Sequence, residues 1–274
     1  MKNTKKRHVV PDDHPWPGGI VVSEAPVRRI HTRSRRRNTA LVYSTLPLGM
    51  REVESSVEER FAKVAQLDPG VSRLRSQPCW LRVVEDGRIR RRAPDFAVLH
   101  GGLPELHEVK QDAECWKPEV ASELLAIRAE VQRHAPWRYG VSLESALLAQ
   151  PLATNTDLLW RYLRPDHQID TGLKQIVGEV VSEAVVAAHV VLDRVRARGG
   201  SADWQDLLTL VAGRHVDFDV SAPLTPDSLL WNRFSGPPRA RTLPFDEVER
   251  VILPPPVPKS VQPFASLQLR GARP

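Results

Sequence analysis

Asp95, which follows Pro94 in a PDF triplet, and the Glu108-Val109-Lys110 triplet downstream have the types and spacing for metal-assisted phosphoryl chemistry. Hydrolysing a phosphodiester requires a nucleophilic water and stabilisation of a highly charged transition state. Carboxylates that hold one or two Mg²⁺ ions provide both. Side chains alternate along a strand, so Glu108 and Lys110 share one face while Val109 turns to the opposite layer. A metal can then lie between Asp95 and Glu108, with the Lys110 ammonium in reach of the attacking water or the phosphate. The bland alternative makes Asp95 an edge-strand turn residue and Glu108 with Lys110 an exposed ion pair worth under ~1 kcal/mol. Glu58 lies upstream in an S-x-x-E pattern that begins at Ser55, where it can equally cap its own helix. His107 alternates away from Glu108, and it and His100 are expected at the surface.

These residues need elements to hold them. Residues 54–67 place Val57, Phe61, Val64 and Ala65 at helical spacing, and Asp68-Pro69-Gly70 stops the helix because Pro69 cannot continue its hydrogen bonds. Strand-like stretches follow at 80–84, at 93–99 after the Glu85-Asp86-Gly87 turn, and at 106–110 after Gly101-Gly102; the Asp-Gly pair suggests a hairpin. Residues 119–134 read as a helix and 137–143 as a further strand. This order predicts an α/β fold with a mixed sheet flanked by helices. Beyond Pro165, residues 173–198 carry Ile176, Val177, Val180, Val181, Ala184, Ala188, Leu192 and Val195 on one face, ended by Gly199-Gly200. A helix at 203–211 and an alternating stretch at 215–220 complete a mainly helical C-terminal domain, which reads either as a winged-helix unit or as a plain helical appendage.

The chain has 274 residues, 41% of them hydrophobic and 26% charged, enough for one large or two modest domains; two are expected. The expected divisions are a basic arm at 1–40, the domain bearing the acids at 41–165, the helical or winged domain at 166–235, and a proline-rich tail at 236–274 read as an extended or disordered strap. A formal charge of +6 favours a polyanionic partner through counterion release. Arg33, Arg35, Arg36 and Arg37 in the arm, and Arg90, Arg91 and Arg92 just ahead of PDF, are the candidate nucleic-acid contacts; the arm can also be read as a solvated tail. Only two cysteines occur, Cys79 and Cys115, without the companions a zinc site needs, and no apolar run approaches the ~18 residues of a membrane span. A soluble cytoplasmic protein is expected, nucleoid-associated when bound to DNA. Trp116, Trp160 and Trp231 read as packing anchors rather than base-stacking platforms.

In order, S-x-x-E with Phe61, DPGV, Gln77-Pro78, PDF and EVK resemble the N-terminal nuclease domain of TnsA-type transposon endonucleases, within the PD-(D/E)xK restriction-like superfamily. The resemblance spans about residues 44–141, with WRYGVSLE similar to the strand after the active site and NTDLLWRYLRP similar to the junction toward the C-terminal domain. It implies that Glu58, Asp95 and Glu108 bind Mg²⁺, for which Mn²⁺ can substitute, together with the backbone carbonyl of Val109. Lys110 would polarise water or phosphate, and Gln77 would be a structural or DNA-proximal support. At Glu59-Arg60 the charges depart from the family's usual order, which leaves Glu59 as a rival to Glu58. The implied activity is nicking of the 5′ ends of a transposon in double-stranded DNA, beside a DDE transposase of the TnsB type and a AAA+ ATPase of the TnsC type. The alternatives are a catalytically inactive DNA-bridging module of the transposase and a restriction or repair nuclease of the same superfamily.

Overall fold

The chain is described by a computed structural model over residues 16–28, 40–42, 46, 51–85, 87–163, 169–233, 236 and 241–253. A two-stranded ribbon of β1 (Ala40–Val42) and β2 (Arg51–Val53) leads into α1 (Ser56–Leu67). Ser55 caps α1 by accepting the Glu58 N–H at 3.1 Å, and Val57, Phe61, Val64 and Ala65 are buried as their spacing predicts. Next come β3 (Val71–Ser76), the hairpin β4 (Leu81–Glu85) and β5 (Arg88–Arg92), β6 (Phe96–His100), β7 (Leu103–Lys110), α2 (Pro118–Val131), β8 (Arg138–Leu143), α3 (Glu144–Leu147) and α4 (Leu152–Trp160).

The central sheet has the order β3-β6-β7-β8. Neighbours run antiparallel except β7 and β8, whose parallel pairing needs a crossover, and α2 supplies it. The sheet is covered on both faces. Phe61 and Val64 of α1 pack with Leu74, Phe96, Val98 and Val109 on one side. Leu124 and Ile127 of α2 pack with Ala97, Leu106, Tyr139 and Val141 on the other. The alternation expected for β7 therefore holds: Val109 faces the α1 layer, while Leu106 faces the α2 layer, the side that Glu108 and Lys110 share by register.

Several sequence expectations are corrected. The return strand of the Asp-Gly hairpin is the arginine-rich β5, not residues 93–99; β6 pairs instead with β3 and β7. His107 is not at the surface but fully buried, because a sheet covered on both faces has no solvent side; it lies between Phe61 and Phe245. His100 is partly buried, with Nε2 3.3 Å from Asp68 Oδ1. Trp160 packs against two core clusters and Trp231 is buried, but Trp116 is 41% exposed and is no packing anchor. Part of the expected N-terminal arm is core: Ile20 is buried, Trp16 stacks on Trp137, and Ser23 and Val27 donate backbone hydrogen bonds to Pro78 and Gln77. Arg33, Arg35, Arg36 and Arg37 lie outside the described residues.

The long helix expected at 173–198 is two, α5 (Thr171–Glu183) and α6 (Ala188–Ala197), separated by β9 (Val186–Ala187). The helical period runs on through Val185 and Val186, but these β-branched residues suit a strand, and Val186 pairs with Leu230. After α6 come α7 (Trp204–Ala212), β10 (Val216–Phe218) and β11 (Leu229–Asn232), with the three strands antiparallel in the order β10-β11-β9. The C-terminal unit is tied to the first. Asn155 of α4 donates to Val220 and Ala222 carbonyls at 3.0 and 2.8 Å and accepts the Leu224 N–H, and Arg214 and Arg233 donate to carbonyls of the Asp68-Pro69 turn.

The described part of the tail, 241–253, then returns to the first unit and is not merely extended, while 254–274 lie outside the described residues. Residue Asp246 bridges to Val141 on the edge of β8, and α8 (Val248–Val251) buries Val248 and Val251 in the α2 layer. Arg241 pairs its two terminal guanidinium nitrogens with the buried Glu105 at 2.7 Å. Gly140 leaves room for this strap, since a Cβ there would lie 2.7 Å from the Phe245 ring and push it aside. No helix among the described residues is long and apolar enough to cross a membrane.

Candidate functional site

The antiparallel register of β6 and β7 pairs Phe96 with His107 and so brings Asp95, one residue earlier, beside Glu108. Asp95 Oδ2 accepts the Val109 N–H at 2.8 Å, which locks the carboxylate against the strand. Lys110 lies between the two acids, with Nζ 2.8 Å from Glu108 Oε1 and 3.7 Å from Asp95 Oδ2. This is not the exposed ion pair of the bland reading, because Glu108 is 4% and Asp95 8% exposed. Glu108 Oε2 is buried and, among the described residues, has no hydrogen-bond partner.

These residues line a cleft of about 660 Å³, bounded by the start of α1, the hairpin β4/β5 and the start of α2. Glu58 lines it too. Its Oε2 accepts the Glu54 N–H at 2.8 Å and its Oε1 accepts the Ser55 hydroxyl at 3.2 Å. The helix-cap role and the place in the acid cluster therefore belong to one side chain. Glu59 points elsewhere, pairing with Lys63 at 2.7 Å, so the geometry favours Glu58 over its rival.

The electrostatics follow from crowding acids in a dry place. Burial, with Asp95 next, pushes the Glu58 carboxyl up to about 8, against the hydrogen bonds at the helix start. Burial and Asp95 likewise push Glu108 up to about 7, although Lys110 opposes them. Burial disfavours the Lys110 ammonium, but Glu108 and Asp95 outweigh it and raise its pKa. The acids hold more negative charge than one lysine compensates.

An oxygen-rich donor set short of positive charge, with one buried carboxylate oxygen unpartnered, suits a hard divalent cation such as Mg²⁺. Among the described residues no three His, Cys, Asp or Glu side chains already stand together as a ligand set. The hydrogen bonds above give the reason: Glu58 is turned to its own helix start and Glu108 to Lys110.

Gln77 is a support and does not reach the surface. It is buried at φ +44°, its N–H donates to the Asp95 carbonyl at 2.8 Å, and its Nε2 donates to Glu54 Oε1 at 3.1 Å. The three adjacent arginines diverge. Arg92 is held by Glu85 at 2.6 Å and Glu123 at 3.2 Å, Arg90 leans on Glu85, and Arg91 lies over Trp80 at the cleft edge.

Sequence reasoning missed Glu54, which receives Gln77 and the Arg28 guanidinium at 2.9 Å behind Glu58. It also missed Glu123 and Trp80 in the cleft lining. Glu54 stands just before the cap Ser55, a position where S-x-x-E already draws the eye to Glu58. Trp80 opens the strand-like stretch 80–84 and carries no chemical signal of its own. Compared with known proteins, the chain matches no family model and no curated protein.

Proposed function

We propose that the chain is a metal-dependent DNA endonuclease whose site is Glu58, Asp95, Glu108 and Lys110. The observation that carries this reading is the convergence of Asp95, Glu108 and Lys110, from two paired strands, on the floor of a cleft that Glu58 also lines. Asp95, Glu108, Glu58 and the Val109 carbonyl would hold Mg²⁺, or Mn²⁺ in its place. The ion would supply Lewis-acid stabilisation of the charged phosphoryl group and a nucleophilic water. The residues themselves do the rest. Asp95 is held in place by the Val109 N–H, Lys110 offers a fixed positive charge to a phosphate oxygen or to the attacking water, and Arg91 at the cleft edge brings the DNA backbone to the cleft.

The setting we propose is transposition, with nicking at the 5′ transposon ends beside a DDE transposase and a AAA+ ATPase. Its support is the ordered run of Glu58, Gln77-Pro78, PDF and EVK, together with a C-terminal unit whose order of helix, strand, two helices and two strands fits a winged-helix unit. The acidic cap of α7, Asp203 and Asp206, argues against that helix reading DNA and for a role in contacting a protein partner. In a reconstituted reaction with transposon-end DNA and the transposase, Asp95→Ala should abolish 5′ nicking and leave 3′ cleavage. Double-strand excision at the wild-type level would refute the assignment.

The second reading is a DNA-bridging module that has lost catalysis, and the turn of Glu58 into its helix cap favours it. Calorimetry with Mg²⁺ or Mn²⁺ separates the two: a titration unchanged by Glu108→Ala supports the bridging module. A restriction or repair setting for the same chemistry is separated by cleavage without the transposase.

A further inference from the structure

The hairpin β4/β5 stands apart from the central sheet as a two-stranded ribbon at the edge of the cleft. Its two faces differ. The inner one carries Leu81 and Val83, both buried, and the Glu85 carboxylate that holds Arg92 and Arg90. The outer one carries two cross-strand pairs, Arg82 opposite Arg91 and Val84 opposite Ile89. Like charges directly opposite one another destabilise a ribbon. Among the described residues no carboxylate lies within ion-pair distance of Arg82 or Arg91, and the only compensation shown is Arg91 over the Trp80 ring at 4.7 Å. Next to them, Val84 is 60% and Ile89 72% exposed. Two paired cations with an apolar tip are costly in water and match a duplex, where phosphates neutralise the arginines and the groove receives the apolar pair.

We infer that the outer face of this hairpin is a duplex-DNA grip, in which Arg82 and Arg91 straddle the backbone and Val84 with Ile89 pack on the sugars and base edges of the adjoining groove. The inference rests on the nuclease reading and deepens it. It assigns the contact to Arg82 and Arg91, with Arg90 and Arg92 bracing the ribbon from within.

Binding of a short, fluorescein-labelled duplex of random sequence, measured by anisotropy in EDTA over a series of salt concentrations, tests the grip without cleavage. Arg82→Ala/Arg91→Ala should weaken binding about tenfold and flatten the slope of log K against log salt by about 2, one unit for each lost phosphate contact. Its melting midpoint should be no lower than wild type, since removing opposed like charges does not harm the ribbon. Val84→Ser/Ile89→Ser should weaken binding severalfold with the slope unchanged. Unchanged affinity and slope in the double arginine variant would overturn the inference, as would an equal loss from Arg88→Ala on the opposite face. A wild-type chain that grips the duplex in EDTA but leaves it uncut once Mg²⁺ or Mn²⁺ is supplied would refute the nuclease reading and leave the grip standing.

Discussion

At the residue scale the site is a problem of excess negative charge, and pH exposes it. Glu58 and Glu108 hold their protons more tightly folded than unfolded, with pKa raised from 4.5 to about 8 and about 7. Their contribution to stability is complete below about pH 4.5 and is lost as pH rises through those values. In EDTA, Glu108→Gln, which cannot ionise, should therefore gain on wild type as pH rises from about 4.5 to about 7, by on the order of a few kcal/mol. Chemical denaturation across that range checks it; parallel stability curves would show that Glu108 is not strained. The individual acids were legible, since PDF and E-x-K name their residues outright. What binds them together was not: that Glu58 is both cap and cleft wall, and that Glu54 and Arg28 stand behind it, depends on loops whose sequences carry no period.

At the element scale, what positions the acids is the packing of α1 on the sheet. Phe61 is fully buried, 4.6 Å from the Phe96 ring and 5.0 Å from His107, directly behind the strand pair that carries Asp95 and Glu108. Phe61→Ala should cost about 3 to 5 kcal/mol in urea unfolding and lower metal affinity with it, while a conservative Phe61→Leu should cost far less. Elements with clear local signals were readable: α1 lies where its apolar spacing puts it, and α2, β7 and β8 lie close to the stretches read for them at 119–134, 106–110 and 137–143. The failures have physical causes. The strand β5 is RIRRR and shows no apolar alternation because both of its faces meet water or carboxylates. The break between α5 and α6 is hidden because the apolar face continues across it, and only the pairing with Leu230 fixes Val186 as strand.

At the scale of the whole molecule, the chain closes on itself. The strap at 241–253 crosses from the C-terminal unit to the sheet edge, and the carboxylate of Asp68 accepts the N–H groups of Thr242 and Leu243 at 2.9 and 2.7 Å. Burial works against the Glu105 carboxylate, but His107 and Arg241 hold its pKa down to about 2. Arg241→Ala leaves this acid buried with less compensation and should cost about 3 kcal/mol of stability at neutral pH, read by urea unfolding. The dependence of the first unit on a segment some hundred residues away is invisible to local sequence patterns. It also means that truncation after Pro165 would remove part of the first unit's core, so the partner contact proposed for the C-terminal unit is better tested by replacing residues on its exposed surface. All three scales meet in the claim that the acids of this cleft bind a divalent cation. Titration calorimetry with Mn²⁺ on wild type and Glu108→Ala, run in two buffers of different ionisation heat near pH 7, tests it most directly. The account predicts a saturable wild-type heat with proton release, both lost or at least about 100-fold weakened in the variant; identical titrations of the two proteins would contradict it.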